Sequence, residues 1–425
     1  MLLKISNSKV SGRIKLPGSK SHTIRALFLA GLSGGESVIS EPLVSDDAFS
    51  AIEVCKSFGA DIKTLDNKYT IKGFSGIPNI PEDIVNVGNS GTSLRFAVTT
   101  AALSEGYTVL TGDYQIRKRP LNNLLTSIND LGGMAISTRG NGMAPVIVKG
   151  RIKGGRTKLD AVTSQYLSSL LINAPLFEND TEIEVTRLNE APYAEMTIWW
   201  LDKMGVTYKN DNLKSFWIKG GQKYKPFNAT IPGDLSAATF FIVLAAISGD
   251  KVTIEKFDLK DPQGDKLVLE IVESMGAKVE RMENEVSVRG NNLRGITIDM
   301  NSIPDALPAM AVLGCFAEGE TRLINVSHAR LKESDRISVM CRELKKMGAD
   351  IEELEDGLVI RQSKLKGSNV NGHDDHRVVM ALAVAGLNSE GETVIDSAEA
   401  INVTYPGFVE TIKKCGGLAE FQIGG

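Results

Sequence analysis

At 425 residues the chain exceeds what one typical core organises and points to two domains. Its composition, 42% hydrophobic and 24% charged, is that of a globular protein rather than a disordered or fibrous one. A net charge of −4 excludes a nucleic-acid or anionic-membrane surface as the main partner, so cationic motifs in this chain read as local pockets for small anions.

The opening MLLKISNSKV has no apolar run long enough for a signal peptide, and the longest apolar stretch, residues 240–247, falls far short of a membrane span. Cys55, Cys315, Cys341 and Cys415 are scattered without metal or redox spacing and lie in apolar-patterned segments. That predicts buried free thiols in a reducing, cytoplasmic compartment.

The first punctuated element is PGSKSHTIRALFLA, residues 17–30. A turn-forming Pro-Gly pair leads through small hydroxyl residues into an apolar helix, with Lys20 and Arg25 at or just inside its start. Free backbone N–H groups, the positive end of the helix dipole, hydroxyl donors and two cations make this an anion site by construction. The grammar recurs. GNSGTSLRF sets Arg95 before an apolar helix, and Arg117-Lys118-Arg119-Pro120 forms a basic loop ahead of an amphipathic one. Thr163-Ser164-Gln165 opens the helix of YLSSLLINAP. Lys332-Glu333-Ser334-Asp335-Arg336 starts another, with Lys332 and Arg336 as i,i+4 neighbours. Gly372-His373-Asp374-Asp375-His376-Arg377 precedes VVMALAVAG.

Singly, each motif reads more readily as a capped helix with dipole-compensating or solvated charges than as an anion site. Cations at a helix N-terminus oppose the dipole, however, so their placement there needs another reason. Together they point to a ligand carrying several negative charges. Two acids stand among them, Asp305 in IPDALPAMAV and Glu333. Each reads either as a cap or ion-pair partner, or as a group that moves a proton. The His373-x-x-His376 pair has metal-like spacing but no third ligand nearby, so no metal is expected.

Beneath the motifs lies a repeat. Six segments share an amphipathic helix, an apolar residue, a glycine and a short strand, and their glycines are Gly59, Gly132, Gly205, Gly276, Gly348 and Gly416. These stand about 70 residues apart, longer than a solenoid repeat, so each unit is a small α/β module. Leu121, Leu124, Leu125, Ile128 and Leu131 mark one helix face, and Ile337, Met340, Cys341, Leu344 and Met347 another. The glycine caps the helix in the left-handed region, and turn pairs such as Asp66-Asn67 and Asp356-Gly357 join two short strands in a hairpin. A second, more apolar helix in each unit, such as FAVTTAAL or FFIVLAAI, suits a domain interior. Six units divide most simply into two domains of three: residues 1–18 with 233–425, and residues 19–232. The chain then crosses twice, near Gly18 and Gly233, which makes a hinge with the ligand site in the interdomain cleft.

The motifs resemble those of the 5-enolpyruvylshikimate-3-phosphate synthases, a family of enolpyruvyl transferases. PGSK-S-x-x-x-R-A, GNSGT-x-x-R, RP, SQ, GD-x-S-A-A, IPDA, R-x-K-E-S-D-R and DHR occur in family order from residue 17 to 377. The resemblance implies a two-domain inside-out α/β barrel of six βαβαββ-type repeats, three per domain. It implies transfer of the enolpyruvyl group of phosphoenolpyruvate to the 5-hydroxyl of 3-phosphoshikimate, by addition and then elimination of phosphate, in the shikimate pathway. No metal or organic cofactor is implied, the partners are the two small substrates, and a monomer is expected.

Carried over motif by motif, the catalytic candidates are Asp305, Glu333 and Lys20. Asp305 is the implied base for the 5-hydroxyl, and the proton transfers at the methylene carbon stay open among the three. The resemblance gives 3-phosphoshikimate to Lys20, Ser21, Arg25, Thr163, Ser164, Gln165, Asp305, His328 and Lys332. It gives phosphoenolpyruvate to Lys20, Gly91, Arg119, Gln165, Arg336 and Arg377, with Asn89, Thr92, Arg95 and His376 in support. Gly91 lacks a side chain where the herbicide glyphosate packs, which implies sensitivity.

The chain departs from the family pattern in four places. Val403 stands where many members have Lys in S-K-T-F/Y-P, and Phe96 stands where many have Pro. His328 stands where some have Asn. Glu190, in NEAPY, occupies a position that is often Ser and contacts the shikimate phosphate. An ionised Glu repels phosphate unless it turns away, so Glu190 receives no role. Two other functions compete. The sister enzyme acting on UDP-N-acetylglucosamine typically carries a Cys in the loop that reads TGDYQIRKRP here, which has none. A non-catalytic anion-binding relative is favoured only by Val403 and Glu190.

Overall fold

A computed structural model describes residues 1–422. The chain forms two compact units, one of Met1–Pro17 with the chain from Pro232 onward, the other of Gly18–Ile231. Among the described residues are six four-stranded sheets, each with the same internal plan. In one, strand Val85–Asn86 runs parallel to Tyr107–Thr111, and the hairpin of Met134–Ser137 and Val146–Lys149 adds antiparallel beside it. Two helices sit between these strands in sequence, giving a βαβαββ module.

Three modules do not close with their own strands. Asn228–Thr230 pairs in parallel with Glu36–Ser40 and so completes the first module of the Gly18–Ile231 unit. In the other unit, Gly12–Lys15 pairs in parallel with Val252–Glu255, and Leu2–Ser6 lies between Glu392–Asp396 and Leu418–Gln422.

The helices of the Gly18–Ile231 unit are α1 (Lys20–Leu32), α2 (Asp46–Ser57), α3 (Gly91–Ala101), α4 (Asn122–Asp130), α5 (Ser164–Asn173) and α6 (Ala191–Lys203). Those of the other unit are α7 (Leu235–Ser248), α8 (Leu267–Ser274), α9 (Leu307–Phe316), α10 (Arg336–Lys346), α11 (His376–Leu387) and α12 (Phe408–Lys414). Odd-numbered helices are buried on nearly every face and sit inside; α7 is buried from Leu235 to Ala246. In their own units α7, α9 and α11 pack on one another, as α3 does on both α1 and α5. Even-numbered helices are one-sided. In α10, Ile337, Val339, Met340, Cys341 and Leu344 are buried, while Lys345 and Lys346 end the helix at its negative pole. Each unit is an inside-out barrel with helices at its centre, and each has its own apolar core.

Local chemistry ends the helices. All six repeat glycines have positive φ, from 67° at Gly205 to 116° at Gly276, the cap that lets the chain turn into a strand. Asp66 and Asn67, with φ of 47° and 56°, make the primed turn that suits strand twist. The other expected turn pair is displaced by one residue. Glu355 and Asp356 form the loop, and Gly357 is the first strand residue, pairing with Leu354. A side chain at Gly357 would collide with the Leu323 carbonyl, so that glycine serves close strand approach rather than the turn. All four cysteines are buried and free. No helix among the described residues is long and apolar enough to cross a membrane.

Candidate active site

The motifs cluster at helix N-termini, those of the interior helices α1, α3, α5 and α11 and of the one-sided α10. In the Gly18–Ile231 unit, α1 starts at Lys20, whose Nζ lies 3.1 Å from Asp47 Oδ2 at the start of α2. Gly18 precedes it because a Cβ there would run into the Glu41 carbonyl. Ser21 is half-buried, and its carbonyl accepts from Arg25 Nη1 at 3.0 Å. Arg25 also donates to Thr197 Oγ1, Ser168 Oγ and the Tyr193 carbonyl, at 2.8, 3.2 and 2.7 Å. Burial pushes the Arg25 pKa down to about 10, which leaves it charged at neutral pH.

At α3, Ser90 caps the helix and Gly91 opens it. Arg95 therefore lies inside the helix rather than before it, one turn on from Gly91, and donates to the Gly91 and Pro120 carbonyls at 3.1 and 3.2 Å. Arg119 Nη2 reaches Asn89 Oδ1 at 3.3 Å, and the Asn89 amide is itself held by Asp113 and Gln115. A Cβ at Gly91 would meet both guanidinium groups, 2.6 Å from Arg119 Nη1 and 2.7 Å from Arg95 Nη1. Thr92 is half-buried beside Gly91. Thr163 caps α5 by accepting from the Gln165 N–H, and Ser164 is the first helical residue. Both hydroxyls donate to Glu190 Oε2, at 3.1 Å from Thr163 and 3.0 Å from Ser164.

The other unit holds a dense ion-pair network. Arg336, the first residue of α10, binds three carboxylates: Asp305 at 2.7 Å, Glu333 at 2.7 Å and Asp375 at 2.9 Å. Its side chain is 1% exposed and that of Asp375 is 0%. Burial opposes the arginine's charge, but Asp375, Glu333 and Asp305 overcome it and hold the pKa above the ordinary value. Burial likewise works against the Asp375 carboxylate, and Arg336 pulls its pKa down. Asp305 also meets Arg377 at 3.0 Å and Lys332 at 3.7 Å, so three cations surround one acid. His328 and His376 are buried, on the turn Ser327–Leu331 and at the first position of α11.

Two expectations are corrected. Lys332 and Arg336 are not neighbours on one helix. Lys332 is extended, Asp335 caps α10 by accepting from the Ser338 N–H, and the two cations share Asp305 as a partner. Asp305 is not at an N-cap position, which Ile303 and Ala306 hold; it lies in the turn Pro304–Ala306 with both oxygens on cations. Sequence reasoning passed over Asp375, which caps α11 through the Arg377 N–H while binding Arg336 and Ser334. An Asp two residues before an Arg at a helix start was the available signal. It also passed over Asp47 and Asp265. Asp265 is fully buried, accepts from Ser236 Oγ at 3.0 Å and feels the charges of Arg377, Asp305 and Asp234. A buried ionic network is poor value as stabilisation alone, which marks this one as a site for anionic chemistry.

The family model for EPSP synthase (3-phosphoshikimate 1-carboxyvinyltransferase) matches residues 5–412. The chain is 63% identical to the 3-phosphoshikimate 1-carboxyvinyltransferase of Acetivibrio thermocellus, over 98% of each chain. It is 61% identical to that of Ruminiclostridium cellulolyticum, over 99% of this chain and all of the other. The solved structure of EPSP synthase from Acinetobacter baumannii superposes with a TM-score of 0.83 at 28% identity, covering 99% of both chains.

Proposed function

The chain belongs to the EPSP synthase family and is an enolpyruvyl transferase of the shikimate pathway, and from that premise we propose which side chains carry the transfer. The observation that carries the proposal is Asp305, whose two oxygens sit on Arg336 and Arg377 with Lys332 beside them. As the 5-hydroxyl oxygen of 3-phosphoshikimate bonds to C2 of phosphoenolpyruvate, Asp305 takes the hydroxyl proton and C3 gains a proton. The tetrahedral adduct then loses phosphate from C2 and a proton from C3, which restores the double bond. Glu333 and Lys20 are the groups proposed for C3, with Glu333 already oriented by Arg336 at 2.7 Å.

Arg119, Arg336, Arg377 and Lys20 neutralise the phosphate and carboxylate of phosphoenolpyruvate, and Gly91 leaves room beside Arg95 and Arg119. Asn89 steadies Arg119, and Thr92 and His376 support the same shell. The 3-phosphate of the second substrate faces Ser21, Thr163, Ser164 and Gln165 at the α5 N-terminus, with Lys332 and His328 on the sugar side. Arg25, which makes four hydrogen bonds to protein acceptors, shapes this wall by holding Ser21 and Tyr193. The reading includes a monomer working in the cytoplasm and inhibition by glyphosate.

The test is inorganic phosphate release from phosphoenolpyruvate with purified protein, with and without 3-phosphoshikimate and with UDP-N-acetylglucosamine in parallel. Release only with 3-phosphoshikimate is expected. Release only with the nucleotide sugar overturns the substrate, and release with neither overturns turnover itself.

A further inference from the structure

Glu190 is an acid that the transfer does not use, yet it lies against hydroxyls proposed to bind substrate. It is 2% exposed, and its Oε2 accepts from Thr163 Oγ1 and Ser164 Oγ at 3.1 and 3.0 Å. Each hydroxyl has a single proton to donate. While both protons point at Glu190, neither is available to a phosphate at the α5 N-terminus.

The carboxylate is also not free to drift. Glu190 caps α6 in the left-handed region, with φ 59° and ψ 43°, a conformation costly for a residue with a side chain. The turn holds because the Glu190 carbonyl accepts from the Tyr193 N–H, while the Tyr193 carbonyl accepts from buried Arg25. Backbone and side chain together therefore present one negative oxygen to the hydroxyl pair. A phosphate at that position meets a like charge and two engaged donors.

We propose that Glu190 is a built-in anionic competitor for the 3-phosphate, withholding the Thr163 and Ser164 hydroxyls and so setting both the affinity and the selectivity for the phosphorylated substrate. The inference rests on the placement of that phosphate at Thr163 and Ser164. Binding of 3-phosphoshikimate then requires the carboxylate to release both hydroxyls. Unphosphorylated shikimate pays no such repulsion, so Glu190 narrows the gap between the two substrates.

The test is steady-state kinetics of Glu190→Gln, Glu190→Ser and Glu190→Asp, each confirmed folded by thermal melting. Glu190→Gln keeps size and hydrogen bonding but removes the charge; Glu190→Asp keeps the charge. In the Gln and Ser variants the KM for 3-phosphoshikimate is expected to fall about tenfold, a larger change than in the KM for phosphoenolpyruvate, and the preference for 3-phosphoshikimate over shikimate to widen. The Asp variant stays near the parent value. Thermal-shift titration with inorganic phosphate gives a second readout, with tighter binding expected in Glu190→Gln. A structural role for the cap raises KM or leaves it unchanged in folded Glu190→Gln, and either result overturns the proposal. Absence of any 3-phosphoshikimate-dependent phosphate release in the unmodified protein overturns instead the functional reading on which it stands.

Discussion

Arg336 Nε lies 2.9 Å from Asp375 Oδ2, and both side chains are shut away from solvent. Arg336 Nη2 also reaches Asp375 Oδ1 at 3.2 Å, and because that oxygen accepts from the Arg377 N–H as well, the start of α10 is fastened to the cap of α11. The two arginines proposed to grip phosphoenolpyruvate are thereby set by a single carboxylate. Removing it leaves a buried guanidinium with less countercharge.

Asp375→Asn is therefore expected to destabilise the protein by about 3–5 kcal/mol, the usual cost of breaking a buried ion pair on one side. Chemical denaturation of the variant and the parent measures the loss. A change below about 1 kcal/mol, the scale of an exposed pair, contradicts the network's importance.

Asp305→Asn keeps an oxygen toward Arg336 or Arg377 but removes the proton acceptor. Turnover is expected to fall by about 100- to 10,000-fold, the range for loss of a general base, with a much smaller change in either KM. Near-normal turnover with weakened binding assigns Asp305 to substrate positioning instead.

Asp265 gives a stability prediction with a defined pH window. Burial is the main reason its pKa rises from 3.8 to about 6; Arg377 and the Ser236 hydroxyl oppose the rise, and Asp305 and Asp234 add to it. The folded protein thus binds this proton more tightly than the unfolded chain does. Its stabilising contribution is complete below pH 3.8, declines as pH rises toward 6, and is absent above. At about 1.4 kcal/mol per pH unit, the loss amounts to roughly 3 kcal/mol. Asp265→Asn abolishes the titration, so its stability relative to the parent is expected to climb between these limits and level off above pH 6. Urea unfolding across that range checks this, and a pH-independent difference refutes it.

Gly91→Ala places a methyl group 2.6 Å from Arg119 Nη1 and 2.7 Å from Arg95 Nη1, closer than real contacts allow. The guanidinium groups must move, so the KM for phosphoenolpyruvate is expected to rise about tenfold or more, with less effect on 3-phosphoshikimate. Equal effects on both substrates place Gly91 away from phosphoenolpyruvate.

Much of the fold is legible in the chain because its signals are local. The repeat glycines, the amphipathic face of α10 and the wholly apolar α7 each express a backbone or burial requirement within a few residues. The same holds for Thr163 as a cap and for the Asp66-Asn67 turn. The hairpin at Glu355–Asp356 is less legible, since Gly357 is demanded by Leu323, which lies on another strand.

The site divides along the same line. Sequence by itself determined which helices begin with hydroxyls and cations, and that Glu333 lies between Lys332 and Arg336, because those features are written in consecutive residues. Only the tertiary structure decided that Lys332 and Arg336 meet through Asp305, that Asp375 fastens two helices, and that Glu190 takes the hydroxyls of Thr163 and Ser164. Each joins groups from separate elements, and the partner of a charge or donor is set by which elements pack together and how deeply they exclude water, quantities that no local run of residues contains.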